Sequence, residues 1–138
     1  MKTVSSIILR KGPVFNVVSP ETPVLHTIQL MSCENCDFVV VKTDNFYLGI
    51  LTEADYTRKV VMKNLNADKL KAKDIMNTNL PIVHYDESIE KCMKLMDQFH
   101  IHQLPVFNDM TFVGVITMED IIREAVFSHD IFDEVGLV

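Results

Sequence analysis

Two stretches of the chain carry residue types at a spacing that could do chemistry. Gly49-Ile50-Leu51-Thr52-Glu53-Ala54-Asp55 and Gly114-Val115-Ile116-Thr117-Met118-Glu119-Asp120 both read Gly-apolar-apolar-Thr-x-x-Asp, one the repeat of the other at a fixed offset along the chain. A threonine three residues before an acid, following an apolar pair, places a hydroxyl at the N-cap and a carboxylate at the third position of a helix. The structural reading is a capping box, in which the hydroxyl takes the third amide and the acid reaches back. The binding reading begins at the same place. Amides exposed at a helix start attract anions, a short carboxylate can accept both hydroxyls of a ribose, and glycine lets a ligand approach the backbone. Capping alone does not require that glycine and usually carries Glu or Gln at the third position. Two matching copies therefore favour binding, and both readings stay open.

Cys33-Glu34-Asn35-Cys36 is the other chemical signal, since Cys-x-x-Cys serves as a redox pair or as half a zinc site. A thioredoxin-like pair sits at a helix start, whereas this one falls where a predicted helix ends. No second Cys-x-x-Cys completes a metal site, which leaves zinc shared with His100 or His102 as the metal alternative. The counterparts of the two cysteines at the motif offset are Gln98 and Ile101, so Cys36 reads as a small buried hydrophobe. Met31, Met93 and Met96 read as core from their helical spacing. No Ser-His-Asp or paired-carboxylate arrangement follows from spacing, so no catalytic residue and no metal site is assigned.

The Thr-x-x-Asp motifs need a strand before them and a helix after, and the chain offers that frame twice. Slid against itself so that Gly49 meets Gly114, the sequence aligns from Val17/Ile82 to Lys59/Glu124 without a gap, with nine identical pairs among 43. Chance at ordinary composition would give about two or three. Val24, Ile28 and Met31 recur as Ile89, Met93 and Met96, an i, i+4, i+7 stripe that predicts an inward-facing helix. Each copy predicts a strand (14–18; 81–85), a helix (23–34; 88–99), two strands around the turns Thr43-Asp44-Asn45 and Asn108-Asp109-Met110, and a second helix (52–62; 117–127). That is β-α-β-β-α twice, an α/β (α+β) fold dividing into residues 1–65 and 66–138. A unit of about 60 residues cannot cover both faces of its sheet, so the two are expected to pack together through their sheets.

Composition narrows the function classes. The 138 residues are 48% hydrophobic and 23% charged with net charge −6. The apolar share argues for a packed core, and the acidic excess argues against a nucleic-acid partner. The longest apolar run, residues 38–41, is far too short to span a membrane. Residues 1–6 lack the apolar core of a signal peptide, and three cysteines without one point to a reducing cytoplasm. Four glycines leave no room for a Gly-rich phosphate loop. Arg58, Lys59, Lys63, Lys69, Lys71 and Lys73 face only Asp68 in their stretch, a basic segment that either gathers anionic ligands or is a solvated connection. Asp130, Asp133 and Glu134 among Ile131, Phe132 and Val135 read as an amphipathic C-terminal extension.

The duplicated unit and its motif resemble the tandem cystathionine-β-synthase (CBS) domain pair, or Bateman module. Lys73-Asp74-Ile75-Met76, Leu104-Pro105-Val106 and Asp55-Tyr56-Thr57-Arg58-Lys59-Val60-Val61 resemble it too, and the likeness covers about residues 3–128. It implies two repeats with pseudo-two-fold symmetry, often paired into flat homodimers, binding an adenosyl ligand in clefts between the repeats. The ligands implied are AMP, ADP, ATP, NAD(H) or S-adenosylmethionine. Asp55 with Thr52, and Asp120 with Thr117, would hold the ribose or approach a phosphate. Family members often place a basic pair just before the second strand to contact phosphate, and this chain has His102-Gln103 there. The adenine would lie in an apolar slot around Ile82 and Pro105, and around Val17 and Val40.

The two sites are not equal on this reading. Asp37 and Phe38 stand where the second copy has His102 and Gln103, and an aspartate repels a phosphate that a histidine can bind. The Asp120 site is therefore expected to be the better nucleotide site, while a phosphate at Asp55 would be read by Arg58 or Lys59. The expected function is a non-catalytic regulatory module, homodimeric and cytoplasmic. With no catalytic domain in these 138 residues, it would signal to a separate protein. The alternative is a structural or interaction module with empty sites. A thiol- or metal-dependent enzyme comes third, for want of a complete ligand set.

Overall fold

β-branched residues suit a pleated surface, and they fill the two hairpins as Val39, Val40 and Val41, and as Val113, Val115 and Ile116. In the computed structural model, which describes residues 2–12, 15–44 and 46–127, these residues build two three-stranded sheets. The chain runs α1 (Val4–Lys11), β1 (Val17–Val18), α2 (Val24–Cys33), β2 (Phe38–Thr43), β3 (Phe46–Thr52) and α3 (Glu53–Tyr56). Helix α3 continues into a π-helical segment, Thr57–Val61. A 3₁₀ turn (Ala67–Lys69) and α4 (Ala72–Ile75) follow, then β4 (Val83–His84), α5 (Ile89–Phe99), β5 (Gln103–Asn108), β6 (Thr111–Thr117) and α6 (Met118–Phe127). Among the described residues no helix is long and apolar enough to cross a membrane.

The duplication extends to irregularities of the backbone. Both sheets place a parallel strand, β1 or β4, beside an antiparallel hairpin. Register shifts fall between Val41 and Lys42 and between Val106 and Phe107, which are equivalent positions of the two copies. Asn35 and His100 end the first helices, and Asp44 and Asp109 turn the hairpins, all four at φ between 51° and 55°. Asparagine and aspartate tolerate that left-handed region better than most residues.

Three features differ from expectation. The leading helices α1 and α4 were absent from the expected β-α-β-β-α unit, and β1 and β4 are shorter than the predicted strands. Helix α1 buries Val4, Ile7 and Ile8, but eight residues are too few for a clear periodic signal. The compact units also do not divide at 65/66. One unit is 15–80, and the other joins 2–12 to 81–127. Each sheet takes up the leading segment that precedes the other copy in sequence. Backbone bonds fix this exchange: Val4 N–H to Glu87 O (2.8 Å) and Ile89 N–H to Lys2 O (3.1 Å) in one unit, Val24 N–H to Leu70 O and Ala72 N–H to Thr22 O (both 2.8 Å) in the other.

Each unit has its own core. Val18, Val24, Met31, Val39, Val41, Leu51 and Ile75 pack in one, and Val4, Ile7, Val83, Ile89, Met96, Leu104 and Ile116 in the other, with Met93 against it. The acidic extension beyond residue 127 lies outside the described residues.

Candidate functional site

Strand β3 ends at Thr52 and delivers Asp55 into the first turn of α3. Thr52 Oγ1 accepts from the Asp55 N–H (3.1 Å), and the Thr52 N–H donates to Asp55 Oδ2 (2.8 Å), so the capping box is complete. Asp55 is 5% exposed, and its carboxylate takes more donors than the cap requires. Thr52 Oγ1 lies 3.0 Å from Oδ2, the Asn77 amide donates to both oxygens at 2.8 Å, and Lys59 Nζ stands 3.3 Å from Oδ1. Lys59 also donates to Ile75 O (2.9 Å) and Asn77 Oδ1 (3.1 Å). It is thus committed within its own unit, while Arg58 next to it is exposed. A carboxylate has about four lone-pair sites, and those of Asp55 are filled.

Asp120 begins in the same way. Thr117 ends β6, its N–H donates to Asp120 Oδ2 (2.9 Å), and its Oγ1 accepts from the Asp120 N–H (3.1 Å). Oδ2 also receives Lys11 Nζ at 2.7 Å. Among the described residues, Oδ1 faces only the exposed guanidinium of Arg123, 3.5 Å away. That distance is beyond ordinary charge-assisted hydrogen-bond length, so Oδ1 keeps acceptor capacity. Asp120 is 7% exposed.

The motif glycines are explained by the chain itself. A Cβ on Gly49 would lie 2.4 Å from the Asn77 carbonyl oxygen, and Gly114 has φ 154° with Ile8 Cδ1 3.3 Å from its would-be Cβ. In both units atoms of the leading segment, Asn77 in one and Ile8 in the other, lie against the motif glycine.

The other expected residues are spread between contact and solvent. Gln103 is buried and pairs with Thr117, and Pro105 is buried opposite Val115. Val17 lies beside the fully buried Val40. Ile82 is 56% exposed just before β4. His102 is exposed, and its carbonyl accepts from the Met118 N–H at 2.9 Å. His100 terminates α5 in the left-handed region.

Lys71 and Lys73, from the basic segment, both bind Glu21 (2.6 and 2.8 Å). Their hydrogen bonds hold its carboxyl down at about 2.

Cys36 packs against the core and accepts from the Asn16 amide at 3.2 Å, and Cys33 is exposed at the end of α2. Burial pushes the Cys92 thiol up to about 12, which keeps it unreactive. Among the described residues no three metal-ligating side chains come together.

Lys11 and Asn77 were not found from the sequence. The ungapped register between the copies begins at Val17/Ile82, and both residues lie before the start of their segment of it.

Residues 4–61 and 72–126 match the family model described as CBS domain. The chain is 30% identical over 122 residues to an uncharacterized protein of Methanocaldococcus jannaschii, covering 86% of this chain and 64% of that one. It is 31% identical over 83 residues to a mitochondrial CBS domain-containing protein of Arabidopsis thaliana, covering 59% and 40%. It thus spans from two fifths to just under two thirds of the length of these relatives. A protein with CBS domains from Burkholderia ambifaria shares the fold at TM-score 0.85 and 26% identity, over 92% of this chain and 96% of that one. A further solved CBS domain structure matches at TM-score 0.83 and 28% identity, over 91% and 98%.

Proposed function

The chain belongs to the CBS domain family, and from that membership we propose that it is a non-catalytic module binding an adenosyl ligand through Asp120. CBS-domain proteins are generally regulatory or signal-transduction modules. The observation that carries the reading is the difference between the two motif carboxylates. Asp55 is filled by its own chain, whereas Asp120 holds Oδ1 toward one guanidinium at 3.5 Å among the described residues. A ribose hydroxyl donating to Oδ1 makes the kind of bond that a buried carboxylate rewards.

AMP, ADP, ATP, NAD(H) and S-adenosylmethionine all offer such a ribose. Arg123 and His102 are the exposed basic groups for a phosphate, and Ile82 with Pro105 is the apolar surface for the base. The bound state would be passed to a separate protein in the cytoplasm. Ile122 and Val126 lie exposed one turn apart on α6 and support pairing with a second copy, which sedimentation analysis checks.

Calorimetric titration with the five ligands tests the reading. At least one should bind, Asp120→Ala should lose that binding, and Asp55→Ala should keep it. No heat with any adenosyl compound overturns the proposal. A second reading, a structural module with unused sites, draws on the saturation of Asp55, and the same titration separates the two.

A further inference from the structure

Three cations of the leading segment converge on α6. Lys11 Nζ lies 2.7 Å from Asp120 Oδ2 and also donates to the Val115 carbonyl at 2.7 Å. Lys2 (3.3 Å) and Arg10 pair with Glu124, which is 2% exposed. Asp120 and Glu124 stand one turn apart and so share a face of α6. The corresponding residues of the other copy are Asp55 and Lys59, where the helix supplies its own cation.

The two carboxylates are closed by different devices. Asn77 donates its backbone N–H to Ile50 O and its side-chain amide to Asp55, each at 2.8 Å, and its carbonyl accepts from the Ile50 N–H at 3.1 Å. Lys11 makes the matching pair of bonds, to Val115 and Asp120, with one ammonium; Val115 is the counterpart of Ile50 in the second copy. Releasing Asn77 requires the backbone to move. Lys11 sits on a flexible four-carbon stem, is 25% exposed, and can leave by side-chain rotation alone.

Resting on the adenosyl reading above, we propose that Lys11 is a releasable lock on Asp120, displaced by the ligand's ribose diol, while Asn77 keeps Asp55 closed. The chain then takes one adenosyl ligand. Displacing Lys11 removes one of the two cationic attachments that the described residues of α1 make to α6, the other being Arg10 to Glu124, so occupancy loosens α1. A ligand shifts a conformational equilibrium only by its differential contacts with the two states, and the Asp120 bond is that difference.

Titration of wild-type protein and Lys11→Met with adenosine and with 2′,3′-dideoxyadenosine tests the lock. Both proteins should bind one adenosine. The variant should bind it at least about tenfold more tightly, because a charge-assisted bond no longer competes. The dideoxy compound, lacking the diol, should show no gain. Equal adenosine affinities overturn the lock, and so does weaker binding by the variant, which would make Lys11 a ligand contact. Two bound adenosines overturn the closure of Asp55. Amide exchange of wild-type protein covers the case of a poorly folded variant: saturation with adenosine should speed exchange in Val4–Lys11, and unchanged or slower exchange overturns the lock. If neither protein binds adenosine or any of the five ligands titrated above, the adenosyl reading falls and the lock with it, an outcome distinct from binding with equal affinity.

Discussion

Gly49→Ala separates a glycine kept for the chain's own approach from one kept for a ligand. The new Cβ would stand 2.4 Å from the Asn77 carbonyl oxygen, 3.2 Å from its carbonyl carbon and 3.3 Å from the Met76 sulfur. Restoring van der Waals contact moves the backbone at Asn77 by about an ångström. That opens the 3.1 and 2.8 Å bonds between Ile50 and Asn77, each contributing about 1 kcal/mol net. It also draws the Asn77 amide off Asp55, where a bond to a charged group contributes about 1.5–3 kcal/mol. Alanine offsets up to about 1 kcal/mol through the unfolded chain. The net loss is then about 3 kcal/mol, read as a lower urea midpoint and a Tm lower by about 10 °C. Gly114→Ala should lose less, since its Cβ meets only the end of the Ile8 side chain and the remaining cost is backbone strain of about 1–2 kcal/mol. A Gly49→Ala protein within about 0.5 kcal/mol of wild type that has lost adenosyl binding would show instead that the glycine is kept for a ligand.

Three further outcomes are expected. Glu21, held down at about 2 by Lys71 and Lys73, should titrate there by NMR, and a midpoint near its usual 4.5 would contradict the pairing. Because this folded-state value is depressed, the pair's contribution is present above about 4.5 and is lost as pH falls through 2; salt should weaken it. Iodoacetamide at mild alkaline pH should label Cys33 in the native protein and Cys92 only after denaturation, given the exposure of one and the burial of the other; native labelling of Cys92 counts against that burial. His100→Gly relieves a left-handed residue at φ 55° and should raise stability by about 0.5–1 kcal/mol in urea unfolding; a fall would show that the imidazole has its own role.

The features legible in the sequence are local ones. The i, i+4, i+7 stripes specify α2 and α5, because a helix repeats every 3.6 residues or so whatever it packs against. Thr52 with Asp55, and Thr117 with Asp120, form capping boxes because the partners lie three residues apart and meet as soon as the helix starts. Copies of turn and bulge follow from the copied sequence. The leading helices were not legible: α1 and α4 are too short to show a period, and their partners lie far along the chain.

The sequence by itself determined that two carboxylates stand at the starts of two equivalent helices, since capping is settled within one turn. Only the tertiary structure decided what else reaches them. Lys11 arrives at Asp120 across 109 residues and Asn77 at Asp55 across 22. Nothing local encodes which donor will face a buried acceptor when each sheet takes up the other copy's leading segment. One carboxylate is closed by an amide and a backbone bridge, the other by a lysine that can leave, because long-range packing chose a different donor for each.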